Sequence, residues 1–350
     1  MSGLTSSFIN NFIEVLEKKP KVLITTHYNP DGDAVGSSLA LYLFLKAFDV
    51  DAKVLVPNDI PDFLMWLSGS EDVVNYKQDT EQGLYLIKNA EAVFCLDFNV
   101  LSRVILFEDE LLKSDATFFL IDHHLDPADT FNHVYSEQNV SSTSELLFNL
   151  LLEVENKLQK KIINKAIAEN IFVGIMTDTG SFAYSCNNKE TFIAVSKLID
   201  YGVDVDKAHK KVYDTYSENR LRLLGFALSS NLKVLPQYNT AYIWLSRNDL
   251  KRYEYKQGDT EGLVNYALSI KEVCLAVLFV EREDRIRISF RSKGDLSVNI
   301  IASKYFGGGG HKNASGGDSY KSLEETIKDF EDILPLLENE IKTALSDFNK

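Results

Sequence analysis

Short uninterrupted apolar runs recur along the first half of the chain: KVLITT (21–26), AKVLVP (52–57), AVFCLDF (92–98) and TFFLID (117–122). Runs of this length bounded by polar and turn-forming residues predict strands buried on both faces, as in a parallel sheet. Between and after them, SSLALYLFLKAF (37–48) and SELLFNLLLEVENKLQ (144–159) carry helical patterning. Strands alternating with helices predict a doubly wound, mainly parallel α/β sheet, in which ligands bind outside the carboxyl ends of the strands.

From about 188 to 230 the pattern is helical and charge-rich, with KAHKKVYDTYSENRLR inside it and no strand-like run. Strand patterns then return in TAYIWLS (240–246) and in CLAVLFVE and RIRISFRS, which flank the turn-like Glu283-Asp284; an amphipathic helix follows over 322–347. The predicted organisation is an α/β domain over 1–187, a helical linker over 188–235 and a smaller α/β domain over 236–350. Two domains also suit the 350-residue length. There is no internal repeat, and the only low-complexity tract is the glycine cluster at 307–310.

The composition, 45% hydrophobic and 25% charged, is that of an ordinary soluble globular chain. A formal net charge of -14 argues against a broad basic face gripping long duplex nucleic acid. It leaves room for a short nucleotide in a locally positive or metal-lined pocket. Cys95, Cys186 and Cys274 are odd in number, widely spaced and free of any CxxC pattern, which speaks against a disulfide framework or zinc ribbon and for a reducing compartment. The N-terminal segment lacks the apolar core of a signal peptide, and no stretch has the length of a membrane helix. A soluble cytoplasmic protein without membrane contact is expected.

Candidate chemistry begins at THYNPDGDAVGSS (26–38), where a histidine and two aspartates follow an apolar run. The strand is predicted to end near His27, and a loop carrying Asp31 and Asp33 to lead into a helix beginning near Ser37. Turn formation and capping by aspartate are ordinary uses of such residues. A calcium loop fails, because aligning Asn29, Asp31 and Asp33 to its first ligands puts Ala34 at the glycine position and Ala40 at the bidentate glutamate. A phosphate-cradling P-loop fails as well, since Gly32 and Gly36 lie too close and no Lys-Ser/Thr pair follows. Divalent-metal coordination by His27, Asp31 and Asp33 survives, and it needs further ligands.

Further ligands stand at the ends of other apolar runs: Asp97 in VFCLDFN, Asp122-His123-His124 in FFLIDHH, and Asp178 in IFVGIMTDTG. One aspartate in such a place is a cap or turn former; their recurrence is the signal. Oxygen and imidazole donors without thiolate suit Mn²⁺, with Mg²⁺, Co²⁺ or Fe²⁺ as alternatives, rather than a structural zinc.

THYNPDGDAVGSS, CLDFN, IDHHLDP and GIMTDTGSF together resemble the four motifs of the DHH phosphoesterase family, and FGGGGHKNASGG resembles that of its DHHA1-type partner domain. The resemblance runs from about residue 15 to 345. In layout it is similar to the nanoRNase/pAp-phosphatase type, which removes 5′-mononucleotides from very short RNAs and takes the 3′-phosphate from 3′-phosphoadenosine 5′-phosphate (pAp). It implies two metal ions and phosphoester hydrolysis. His27 and Asp31 would hold one ion, Asp33, His123 and Asp178 the other, and Asp97 would bridge both. Two such ions activate water and clamp a phosphoryl oxygen.

Asp122 is expected to orient a neighbouring imidazole, and His124 to approach the scissile phosphate as donor or acid. Arg103 would complement the phosphate, with a surface ion pair as its plain alternative. Ser142 and Thr143 match a family position near the site, yet helix capping explains them equally well. His133 and His209 lie outside the motifs and read as surface or core residues.

In the second domain, residues 281–312 carry seven Arg or Lys against four Asp or Glu. By resemblance, Arg291, Gly309, Gly310 and His311 would bind the base, sugar or terminal phosphate of a nucleotide, with Asn313 and Ser315 as weaker candidates. A domain holding the substrate's far end would measure length and favour short oligonucleotides, dinucleotides or pAp, with closure through 188–230. A linear or cyclic dinucleotide phosphodiesterase is the nearest rival. A RecJ-like single-strand exonuclease is disfavoured by acidity and lack of extra modules, and a family II pyrophosphatase by the C-terminal motif. A non-hydrolysing dinucleotide sensor is disfavoured by the complete ligand set. The oligomeric state stays open, with a homodimer among the options.

Overall fold

The computed structural model describes residues 3–184 and 186–348. The chain divides into two units, Met1–Thr215 and Tyr216–Lys350.

The first unit runs α1 (Ser6–Lys18), β1 (Val22–Thr25), α2 (Gly32–Lys46), β2 (Ala52–Val56), β3 (Val74–Asn75), α3 (Thr80–Asn89), β4 (Ala92–Leu96), α4 (Glu108–Leu112), β5 (Thr117–Asp122), β6 (His133–Ser136), α5 (Thr143–Leu158), α6 (Lys165–Asp178), α7 (Lys189–Asp200) and α8 (Val205–Tyr213). Its six strands lie in the order β3-β2-β1-β4-β5-β6, and every neighbouring pair is parallel. The doubly wound parallel sheet expected from the apolar runs is the one observed.

Alternate side chains along each strand enter different cores. Val22, Ile24, Phe94 and Phe119 pack with residues of α1, α2, α5 and α6, such as Phe12, Phe44, Phe148 and Phe172. Leu23, Val93, Cys95 and Leu120 face the other way, against Ile87 of α3 and Leu111 of α4. With both faces covered, continuous apolar runs are what the strands require. The chain leaves β1 toward β2 on one side and returns to β4 on the other, so the strand order reverses beside β1, where such sheets open a crevice.

Two details depart from the sequence expectation. Helix α2 starts at Gly32, not near Ser37, because Asp31 is its N-cap and accepts the N–H groups of Asp33 (3.0 Å) and Ala34 (3.1 Å). The run before Asp178 is a buried helix, and Asp178 is the last residue of α6. Helices α2 and α6 approach closely at glycine: a Cβ on Gly36 would stand 2.5 Å from the carbonyl oxygen of Asn170.

In the 188–230 region, Ala194 and Leu198 of α7 and Ala208 and Val212 of α8 join the first unit's core. The third helix, α9 (Glu218–Ser230), packs Leu223 and Ala227 into the second unit.

That unit continues with β7 (Leu232–Leu235), β8 (Thr240–Leu245), α10 (Arg247–Arg252), α11 (Leu263–Leu268), β9 (Leu275–Glu281), β10 (Ile286–Ser292), α12 (Val298–Phe306), β11 (Gly309–Gly310), β12 (Ala314–Ser319) and α13 (Leu323–Phe348). Its mixed sheet has the order β11-β12-β10-β9-β8-β7, parallel only between β8 and β9. Phe279, Phe290 and Phe330 anchor the core under α12 and α13.

Candidate metal centre

Three neighbouring strands deliver their following residues to one place. His27 comes just after β1, Asp97 directly after β4, and Asp122, His123 and His124 at and after the end of β5. Asp97 has a left-handed backbone, φ 64°, and its N–H donates to the carbonyl of Ile121 (3.2 Å), which turns the chain sharply at the strand end. Aspartate tolerates this conformation better than most residues. His27, Asp33, Asp97 and Asp122 are all buried, unusual for residues of this polarity unless they are paired.

Asp97 is the hub. His27 Nε2 lies 3.5 Å from its Oδ2, and His123 Nε2 lies 3.5 Å from its Oδ1. His123 Nε2 is also 3.6 Å from Oδ2 of Asp178, which α6 brings in from its carboxyl end. Among the described residues three overlapping groups share Asp97, His27 with Asp31 and Asp97, Asp33 with Asp97 and His123, and Asp97 with Asp122 and His124; within each, donor atoms lie inside 4.8 Å of one another. The His27 ring turns its Nδ1 to the carbonyl of Tyr28 (3.0 Å), which directs Nε2 toward the cluster.

Asp122 partners His124. Its Oδ1 accepts from His124 Nδ1 (2.7 Å) and its Oδ2 from the His124 backbone N–H (3.1 Å).

The first turn of α5 closes the cluster from behind. Asp33 accepts the N–H of Thr143 at Oδ2 (2.7 Å) and of Ser144 at Oδ1 (2.8 Å), and the Thr143 hydroxyl donates to Asp97 Oδ1 (3.0 Å). Ser142 takes the cap, accepting the Glu145 N–H (3.1 Å). Sequence reasoning missed Ser144 and Glu145. The buried Glu145 accepts at Oε2 from the Ser141 N–H (3.0 Å), the Ser141 hydroxyl (2.5 Å) and the Thr191 hydroxyl of α7 (2.8 Å). The signal lay in the Ser142-to-Glu145 spacing, which normally marks a reciprocal cap; here the glutamate turns to Ser141 instead.

Electrostatics tie these groups together. Burial works against the charged form of Asp97, but His123 and His27 outweigh it and hold the carboxyl well below its ordinary range. Burial also opposes the His123 imidazolium, yet Asp97, Asp178 and Asp33 lift its pKa to about 10. Asp33 is pushed well above the usual carboxylate range by burial and by the charges of Asp97 and Asp178. Asp178 rises to about 7, again through burial first, with His123 opposing and Asp31 and Asp97 adding to the rise. The cluster thus retains protons that bound cations would displace. The donor set fits divalent cations that prefer oxygen and imidazole, because the atoms that converge are carboxylate oxygens and Nε2 nitrogens, and Cys95 is buried in the core on the opposite face of β4.

Arg103 is exposed on the turn after β4. Its carbonyl accepts the Tyr28 N–H (2.7 Å), and its charge is felt at His27.

In the second unit, Arg291 of β10 pairs with Ala314, Gly310 of β11 with Ser315, and the His311 N–H with the Ala314 carbonyl (2.9 Å), which gathers Arg291, Gly309, Gly310 and His311 at one end of that sheet. Two of the glycines are required by the hairpin itself. A Cβ on Gly308 would meet the Gly316 carbonyl at 1.9 Å, and Gly310 has φ 139° with the Ala314 carbonyl 2.7 Å from its Cβ position. Gly309 has room, with only Asn299 at 3.7 Å. Asn313 and Ser315 serve the hairpin: the Asn313 amide donates to Ser292 Oγ and the Gly294 carbonyl (both 2.9 Å), and the Ser315 hydroxyl to the His311 carbonyl (2.7 Å). His133 lies against Phe119 and bonds Asn11, and His209 lies beside Tyr213.

Residues 21–175 match the N-terminal domain of the DHH family, and residues 237–343 match the DHHA1 domain. The chain is 42% identical to an exopolyphosphatase-related protein from Bacteroides fragilis, whose crystal structure superposes with a TM-score of 0.91 over 97% of this chain and 100% of that one. It is 28% identical over 299 residues to the bifunctional oligoribonuclease and PAP phosphatase NrnA of Bacillus subtilis, covering 85% of this chain and 89% of that protein. To the protein of the same name from Thermus thermophilus it is 29% identical over 299 residues, 84% of this chain and 83% of the relative. With both domains matched in order and a relative of this identity along its whole length, the chain belongs to the DHH phosphoesterase family, among the members that join a DHH domain to a DHHA1 domain.

Proposed function

We propose that this protein is a metal-dependent hydrolase of short oligoribonucleotides, releasing 5′-mononucleotides, and of pAp, releasing AMP and phosphate. The observation that carries the reading is the set of donor groups sharing Asp97 at the carboxyl ends of β1, β4 and β5. The relatives named oligoribonuclease and PAP phosphatase support the substrate class.

His27 and Asp31 would hold one cation, Asp33, His123 and Asp178 a second, and Asp97 both, with Mn²⁺ the preferred ion on donor chemistry. Bound there, divalent cations supply charge stabilisation for a phosphoryl oxygen and a water of lowered pKa. The protein's own groups do the rest. Asp122 fixes the orientation of the His124 ring through Nδ1, and His124 would donate a proton to the departing nucleoside oxygen. The Arg103 guanidinium complements phosphate charge. In the second unit, Arg291, Gly309, Gly310 and His311 form a candidate surface for the nucleotide moiety, where Gly309 lets a ligand approach the backbone. We assign catalysis to 1–187 and nucleotide binding to 236–350.

The test is a parallel measurement of kcat/KM in Mn²⁺ on pAp, the dinucleotide pApA, cyclic di-AMP and a long single-stranded RNA. Efficient cleavage of pAp and pApA with poor cleavage of the long RNA supports the reading. A lead for the cyclic dinucleotide or the long strand overturns the substrate assignment, and no turnover of any of them overturns the hydrolase.

A further inference from the structure

We propose that Thr143 is a positioning residue of the metal centre, locking Asp33 and Asp97 into one mutual arrangement from the first turn of α5. The inference rests on reading those aspartates as cation ligands.

Thr143 reaches both: its N–H donates to Asp33 Oδ2 (2.7 Å) and its hydroxyl to Asp97 Oδ1 (3.0 Å). All three residues are buried. Capping does not account for that hydroxyl, because the cap is Ser142 and Thr143 is the first residue inside the helix. The two oxygens of Asp97 face different histidines, Oδ1 toward His123 and Oδ2 toward His27, and rotation about the Cβ–Cγ bond would exchange them. Thr143 marks Oδ1 of Asp97, the oxygen on the His123 side, and leaves Oδ2 to the His27 side. Asp33 is held by two helix N–H groups at once, which fixes the plane of its carboxyl. The start of α5 is itself anchored, since Glu145 bonds Ser141 before the helix and Thr191 on α7. Groups that orient a metal's ligands without touching the metal typically govern affinity or activity about 10–100-fold.

The experiment compares the full-length wild type with Thr143→Val, which removes the hydroxyl and keeps the backbone N–H, and with Thr143→Ser, which keeps both. Mn²⁺ affinity is titrated calorimetrically on the metal-free proteins, their melting temperatures are recorded, and kcat and KM are measured on pAp. Thr143→Val should bind Mn²⁺ about 10–100-fold more weakly and lose a similar factor in kcat, with KM and the metal-free melting temperature near wild type. Thr143→Ser should restore affinity and kcat. If Thr143→Val does not fold, Thr143→Ala carries the same expectation. Wild-type Mn²⁺ affinity in the valine or alanine variant overturns the proposal while leaving the metal site standing. So does a loss that Thr143→Ser fails to rescue or that follows the melting temperature, since that is a packing effect. A wild type that binds no Mn²⁺ overturns the site reading and the proposal together.

Discussion

Replacing Gly36 by alanine should damage stability and catalysis through one displacement. The added Cβ would lie 2.5 Å from the Asn170 carbonyl oxygen, 3.0 Å from the Gly174 nitrogen and 3.2 Å from the Gly174 Cα. All three are backbone atoms of α6, so no side chain can swing aside. Ordinary contact begins at 3.4 Å, and the helices must therefore part by about 1 Å or tilt by an equivalent amount. Overpacking of this kind costs roughly 1–3 kcal/mol, and at about 2–4 °C per kcal/mol for a unit of this size the melting temperature should fall by about 2–12 °C. Helix α2 carries Asp31 and Asp33 at its start and α6 carries Asp178 at its end, so the same shift separates carboxylates of the cluster. A misplacement of about 1 Å can cost on the order of 100-fold in rate. The assay is a thermal melt with kcat/KM on pAp. The control is Gly225→Ala in the exposed face of α9, where the new Cβ meets nothing within 4 Å and helix propensity adds about 0.5–1 kcal/mol. A Gly36→Ala protein that melts and turns over like wild type would refute the packing argument.

Asp122→Asn should lower kcat about 10–100-fold with little change in KM, because the amide is a weaker partner for His124 Nδ1; an unchanged kcat would remove Asp122 from the mechanism. The raised His123 pKa has a definite sign: it contributes stability that is complete below the ordinary 6.5 and is lost as pH rises to about 10. The metal-free melting temperature should fall across that window and saturating Mn²⁺ should flatten the profile, whereas a flat metal-free profile would contradict the His123 pairing. Arg291→Ala and His311→Ala should raise KM for pAp while leaving Mn²⁺ affinity at wild-type values, and weakened Mn²⁺ binding would count against their assignment to substrate.

The strands that support the site were legible because a parallel sheet covered on both faces needs uninterrupted apolar runs, and KVLITT and TFFLID are such runs. Strands β3 and β6 were not, since they are short edge strands with no run to see. Strand β12, ASGGDS, was hidden for another reason: a Cβ on Gly317 would lie 2.8 Å from the Phe306 side chain, so the close packing of α12 calls for glycine where β-forming residues would normally advertise a strand. The chemistry-bearing residues were legible as types at run ends. Their pairing was not: that Asp122 serves His124, that Ser142 caps while Thr143 reaches Asp97, and that two glycines at 308 and 310 belong to the hairpin are facts of three-dimensional contact.

The donors around Asp97 come from β1, α2, β4, β5 and α6, spread in sequence from His27 to Asp178. The cluster is complete only across the whole run from β1 to α6, so an emerging polypeptide cannot assemble it until α6 has left the ribosome and docked on α2. Parallel pairings between distant segments form slowly. On the proposed reading, cation binding would act as a seal on completed folding, stabilising the finished unit in proportion to the logarithm of free metal concentration. Metal starvation would then lower the amount of folded protein as well as its turnover.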